Sequence, residues 1–184
     1  MSTEAKLRAI ANGNQSAFTG LFTEYLPRFI SYATGLLAGD KEAAEDVVHE
    51  AFVAIWQQAG NYSGTGSAEG WLRRIVRNKA VDWCRKQREI PMSDELEAKY
   101  SEQADQSNPF TEAASAGAAR DLRDALILLS LEQREAIWLC YFEELSIAEI
   151  SVIAQCPENT VKTRLFHARR ILGKSAILRA SADV

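Results

Sequence analysis

The sequence predicts an all-α protein, two small helical domains joined by an acidic, flexible linker. Three observations carry this. Apolar residues recur at helical spacing through most of residues 18–90 and again from about residue 118 onward. Between them, residues 89–117 lose that period and hold seven acids against the single cation Lys99. That segment is rich in Ser, Gln and Ala and contains Pro91 and Pro109, a composition that cannot build a packed face. The expected division is 1–90, 91–117 and 118–184, with no strand alternation anywhere.

Four to five helices are expected in the first ninety residues. Phe18, Leu21, Phe22, Tyr25, Leu26, Phe29, Ile30, Ala33 and Leu37 form one stripe, in which Pro27 predicts a kink or a break between helices. Ala44, Val47, Val48, Ala51, Phe52, Ile55 and Trp56 form a cleaner one, whose outward face shows Glu45, Asp46, His49 and Glu50. Residues 61–66, NYSGTG, are turn formers, and Ser67 can cap the helix that follows. Trp71, Leu72, Ile75, Val76 and Trp83 are its apolar members. Between Trp71 and Arg88 it sets seven cations (Arg73, Arg74, Arg77, Lys79, Arg85, Lys86, Arg88) against Asp82 alone.

Helical patterning resumes near Ala118 and runs through Leu122, Leu126 and Leu129. A capping box at Ser130–Gln133 then opens a helix containing Ile137, Leu139 and Phe142. Ser146 and Glu149 make a second capping box ahead of Ile147, Ile150 and Ile153. Gln155-Cys156-Pro157 ends that helix, with the proline placed just inside the next one. There Val161, Leu165, Ala168 and Leu172 face the core, which puts Asn159, Thr163, Phe166, His167 and Arg170 opposite and Lys162, Arg164 and Arg169 on the flanks. From Asn159 to Ala182 there are six cations and no acid. Base-reading groups between phosphate-reading cations on a helix–turn–helix suit a DNA major groove. A merely solvated face would carry the same charges; the exposed aromatic Phe166 favours DNA, because it can meet a thymine methyl.

Composition narrows the function classes. The net charge of -4 spread over 184 residues hides two basic segments around an acidic one. No apolar run approaches the roughly 20 residues that span a bilayer, and the first residues lack the apolar core of a signal peptide. Cys84, Cys140 and Cys156, odd in number and without a C-x-x-C pair, read as reduced cytosolic thiols. His49 and His167 are far apart, so no metal site is expected. There is no Gly-rich phosphate loop and no catalytic constellation, so neither a cofactor nor an enzyme is expected.

Three separated motifs, in order, resemble the extracytoplasmic-function class of bacterial sigma factors. They are AEDVVHEAFVAIW at Ala44–Trp56; WLRRIVRNKAVDWCR at Trp71–Arg85, with its W-L-x-x-I-x-x-N-x-x-x-D frame; and the stretch Leu131–Leu172. The likeness extends from Ala17 to about Leu178. It implies a region-two domain (1–90) that docks on core RNA polymerase and recognises and melts the -10 element of promoter DNA. It further implies a region-four domain (118–184) that reads the -35 element, and a cognate anti-sigma factor that holds the protein inactive. On this resemblance Asp46, His49 and Glu50 are the polymerase-docking residues. Asn61, Tyr62, Ser63 and Ser67 lie in the loop that holds a flipped -10 base; Arg73, Arg74, Arg77, Asn78, Lys79, Arg85 and Lys86 meet the -10 strand. Lys162, Thr163, Arg164, Phe166, His167, Arg169 and Arg170 meet the -35 element. The linker acids Asp94, Glu95, Glu97, Glu102 and Asp105 fit either a polymerase-lining path or a plain spacer. The rival reading, a stand-alone helix–turn–helix regulator, leaves Trp71–Arg88 unexplained.

Overall fold

A computed structural model describes residues 1–89 and 124–180, with side chains to residue 87 and from 124 to 173. The linker with Asp94, Glu95, Glu97, Glu102 and Asp105, Ala118 and Leu122, and the side chains of Arg88, Lys174 and Arg179 lie outside the described residues. All regular structure among the described residues is helical.

The first group comprises α1 (Thr3–Ala11), α2 (Gln15–Leu36), α3 (Lys41–Gln58) and α4 (Ala68–Glu89), with one 3-10 turn at Ala59–Asn61. Ser2, Asn14 and Asp40 cap the first three, each side chain accepting a backbone N–H of the first turn. α1 has too few apolar positions for its period to be read from sequence; its Leu7 and Ile10 are nevertheless buried. α2 is one helix through Pro27, not two. Proline removes the bond to the carbonyl four residues back, but Pro27 and Thr23 are exposed, so water can take that carbonyl, while Leu21, Tyr25 and Phe29 hold the other side in the core. The core between α2 and α3 is aromatic, with Phe22 and Phe52 ring centroids 4.7 Å apart and Phe18 edge-on to Trp56 at 5.2 Å. Trp71 and Trp83 are half-buried against this core, where the apolar stripe of α4 placed them.

The second group comprises a helical stretch over 124–127, α5 (Leu131–Tyr141), α6 (Ile147–Ala154) and α7 (Glu158–Ala180). Both capping boxes form as the sequence predicts, at Ser130–Gln133 and Ser146–Glu149. α6 ends at Gln155 in the left-handed region (φ 51°, ψ 44°). α7 then begins one residue past Pro157, whose carbonyl accepts the amide of Val161 at 3.2 Å. Leu139, Ile150, Ile153, Val161, Leu165 and Ala168 form this group's core.

The two groups touch. α2 packs on α5 and α4 on α6, and one continuous set of buried residues runs through both.

Candidate nucleic-acid interface

On α7 the buried Val161, Leu165 and Ala168, spaced four and then three residues apart, anchor the helix, and this fixes what points outward. Asn159, Lys162, Thr163, Phe166, His167, Arg169 and Arg170 are all exposed. Phe166, at 60% exposure, is an unpaid apolar surface in the middle of a polar face, edge-on to His167 at 5.5 Å. Thr163 bonds back to the Asn159 carbonyl at 2.9 Å. Two of the flanking cations are used locally. Arg169 donates to the Tyr141 hydroxyl at 2.7 Å and stacks over its ring at 5.6 Å. Arg164 is half-buried and donates to the Cys156 Sγ at 3.4 Å. Cys156 sits in the turn between α6 and α7 and, like Cys84 and Cys140, is half-buried.

The other cationic helix is arranged differently. Asn78, Arg85 and Lys86 are exposed, and Arg74 is half-buried. Lys79 pairs with Glu50 of α3 at 3.3 Å, which links the expected docking face to the expected -10 face. Arg73 is only 6% exposed; its guanidinium meets Glu69 at 3.2 Å and, from the second group, Glu143 at 2.5 Å. Arg77 donates through Nε to Glu135 at 3.1 Å. Arg73 and Arg77 thus do not share an open surface with the other -10 candidates.

The loop before α4 is internally ordered. The Tyr62 hydroxyl donates to the Gly66 carbonyl at 3.0 Å, and its ring lies 5.8 Å from Trp71. The Ser63 and Thr65 hydroxyls are 2.6 Å apart, and Ser67 Oγ accepts the Gly70 amide at 3.2 Å. Gly64 and Gly66 take positive φ (74° and 80°), the conformation that turns the chain back on itself. Asn61 and Ser63 are open to solvent. A pocket of about 210 Å³ lies between this loop, α4 and α6, lined by Ser67, Trp71, Arg74, Leu145, Val152 and Ile153 among others. On α3, Asp46, His49 and Glu50 share an exposed face.

Sequence reasoning missed Glu135. It is fully buried among Leu131, Trp138 and Leu139 on the inner side of α5, an acid in an apolar register. That break in the stripe was the available signal. Burial pushes its carboxyl above the ordinary 4.5; the Arg77 charge and hydrogen bonds from Arg77 and Tyr32 offset this only in part. Burial likewise raises the Tyr32 phenol well above 10, and Tyr32 donates to Glu135 at 3.3 Å. Among the described residues no His, Cys, Asp and Glu group could hold a metal ion, and no helix is long and apolar enough to cross a membrane.

The family model for Sigma-70 region 2 matches residues 21–90, and that for Sigma-70, region 4 matches residues 119–172. The chain is 28% identical to the RNA polymerase sigma-H factor of Pseudomonas aeruginosa over 173 residues, 90% of this chain and 89% of that protein. It is 26% identical to the ECF RNA polymerase sigma factor SigW of Bacillus subtilis over 181 residues, covering 95% and 96%. Its fold is similar to CnrH, solved with the cytosolic domain of CnrY (TM-score 0.66, 24% identity, 96% and 97% covered). It is equally similar to the Bartonella quintana sigma factor RpoE, solved with the anti-sigma factor NepR (TM-score 0.67, 24% identity, 86% and 96% covered).

Proposed function

The chain belongs to the extracytoplasmic-function class of the sigma-70 family and is an alternative RNA polymerase sigma factor, and from that premise we propose how its own surfaces divide the work. Residues 1–90 form the domain that docks on core polymerase and opens the -10 element, 91–117 the linker, and 118–184 the domain that reads the -35 element. Asp46, His49 and Glu50 offer polymerase an exposed, largely anionic helical face. The Asn61–Ser67 loop receives a -10 base; Arg74, Asn78, Lys79, Arg85 and Lys86 meet strand phosphates, joined by Arg73 and Arg77 once those are free. Lys162, Thr163, Phe166, His167 and Arg170 read the -35 groove while Arg164 and Arg169 hold phosphate.

The observation that carries this reading is the open face of α7, where an exposed Phe166 stands among cations on the second helix of a helix–turn–helix. In this reading the protein works by binding and positioning, and acts in the cytoplasm, where polymerase is. An anti-sigma factor restrains it, as the partners of its structural relatives suggest.

Run-off transcription with bacterial core polymerase on a pool of genomic promoter fragments tests the proposal. Transcripts that require this protein and share paired -35 and -10 elements are expected. DNA binding by the protein alone, with no core-dependent transcript, would instead favour the stand-alone regulator.

A further inference from the structure

The two helical groups meet along a seam whose centre is unusually close. A methyl group added at Gly35 of α2 would stand 2.1 Å from Cε3 of Trp138 on α5. Gly35 is needed there because the indole approaches the bare backbone; its place inside α2 asks for no special φ. On either side of this contact the second group presents a carboxylate. Glu143 meets Arg73 at 2.5 Å and Arg28 at 3.3 Å, and Glu135 meets Arg77 at 3.1 Å and the Tyr32 hydroxyl at 3.3 Å.

We propose that this seam is an intramolecular latch, in which Glu143 and Glu135 occupy Arg73 and Arg77 where promoter phosphates would otherwise lie, so that the free chain must open before α4 can meet DNA. The inference rests on the reading of α4 as the promoter-facing helix.

Chemistry and geometry agree. A guanidinium accepts carboxylate and phosphate oxygens through the same forked donors, so an internal acid competes directly for the site. The two promoter elements are about 25 base pairs apart, on the order of 85 Å at about 3.4 Å per pair. In the closed chain Ser67 and Thr65, beside α4, line one pocket with Val152 and Ile153 of the helix–turn–helix. Surfaces that share a pocket wall cannot lie on both elements at once. The latch is also built to release. Separating a buried ion pair into water returns the hydration of both charges, so such pairs stand near break-even and set register more than they hold. Closure rests mainly on the apolar contact of Trp138 with Gly35, to which the polar groups of the seam add a smaller part.

Gly35→Ala tests this in the full chain. Alanine favours a helix interior over glycine, so α2 is not weakened, while its methyl drives against Trp138. Glu143→Arg opens the seam by a second route, setting like charges at Arg73 and Arg28. Small-angle scattering of either free variant is expected to give a larger radius of gyration than the wild-type chain. Binding to a mixed-sequence single strand of about 30 nucleotides is expected to tighten, with the log–log salt slope of Gly35→Ala steepening by about 0.7 to 1.4, one or two further phosphates. Adding Arg73→Ala and Arg77→Ala to Gly35→Ala should remove that increment. If neither variant expands, the seam does not hold the chain closed and the latch is wrong. If they expand while affinity and slope stay fixed, the seam hides nothing that DNA uses, and the latch is equally wrong. Run-off transcription with saturating core separates this from the underlying reading: in the latter case it still requires Arg73 and Arg77 if α4 faces the promoter. Full transcription by Arg73→Ala with Arg77→Ala would overturn both.

Discussion

Helices α4 and α7 are nearly equal in length, 22 and 23 residues, and each carries a cationic face, yet the fold treats them in opposite ways. α7 packs one stripe on α5 and α6 and leaves its other side to solvent. α4 lies against α3 on one side and against α6 on another, and two of its arginines end beside acids of the second group. Local charge is therefore a poor guide to available charge. What decides is whether an acid distant in sequence is folded onto the cation, and a helical period cannot report that.

The contrast is sharpest within α7 itself, at two adjacent residues. Leu165 is 2% exposed and Phe166 60%. Leu165→Ala should cost about 2–5 kcal/mol by emptying the core of the second group, and lower its melting temperature by roughly 10 °C or more. Phe166→Ala should move stability by no more than about 0.5 kcal/mol while weakening binding to a promoter duplex. Thermal circular dichroism and fluorescence anisotropy on the same two variants read both quantities. Equal loss of stability in the two would mean that the face of α7 is covered, and the comparison with α4 would collapse.

A second pair compares the helices directly. Arg170→Ala in the free chain should weaken duplex binding about 10-fold or more, given about 1–3 kcal/mol for a groove contact. If its contact is to phosphate instead, the salt slope falls by about 0.9. Arg77→Ala should not lower either quantity in the free chain, because Glu135 already occupies its guanidinium. In polymerase-dependent transcription both variants should lose activity. A drop in free-chain duplex binding for Arg77→Ala matching that of Arg170→Ala would remove the distinction drawn between the helices.

Smaller effects belong to the helix starts. Ser146→Ala and Ser130→Ala should each lower stability by about 1 kcal/mol, since both hydroxyls accept an N3 amide that otherwise loses its partner. The Ser146 hydroxyl also donates to the Glu149 carboxylate at 2.7 Å, and Glu149 lines the pocket facing α4, so Ser146→Ala should loosen the seam where Ser130→Ala does not. Scattering alongside the thermal melts distinguishes them.

The features legible in the sequence were those written by neighbours in the chain. The capping boxes at Ser130 and Ser146 and the outward set on α7 follow from spacings of three or four residues, the turn around Gly64 and Gly66 from its run of turn formers, and all form. Pro27 does not break α2, one of the two effects its place in the stripe allowed, because a proline's effect depends on which side of the helix meets water, and that is a tertiary fact. The seam was illegible for a similar reason. Arg73 and Glu143 are 70 residues apart, Arg77 and Glu135 58, with the acidic segment between them. Only Glu135, an acid on an apolar stripe, left a trace. Gly35 gave none, because a glycine inside a helix reads as a cost until the ring that needs its space is known.

Acidity separates the seam from the domain that supplies it. Burial holds the Glu135 carboxyl above 4.5, so the closed chain keeps its proton over a range in which an opened, hydrated Glu135 has lost it. The contribution of Glu135 to closure is therefore complete below 4.5 and fades as pH rises through the raised value. Glu149 behaves in the opposite sense. The Ser146 hydroxyl and amide hold its carboxyl below 4.5, so its contribution to α6 is present above that value and is lost as pH falls through the lowered one. Tyr32, raised well above 10, stays protonated through both windows and remains a donor to Glu135. Mild acidification from neutral toward 4.5 should thus compact the free chain before any loss of helix, and Glu135→Gln should flatten that response. Scattering and far-ultraviolet dichroism recorded together read the two events. Expansion on mild acidification, with helix content intact, would show that Glu135 is not buried against Arg77 in the free protein.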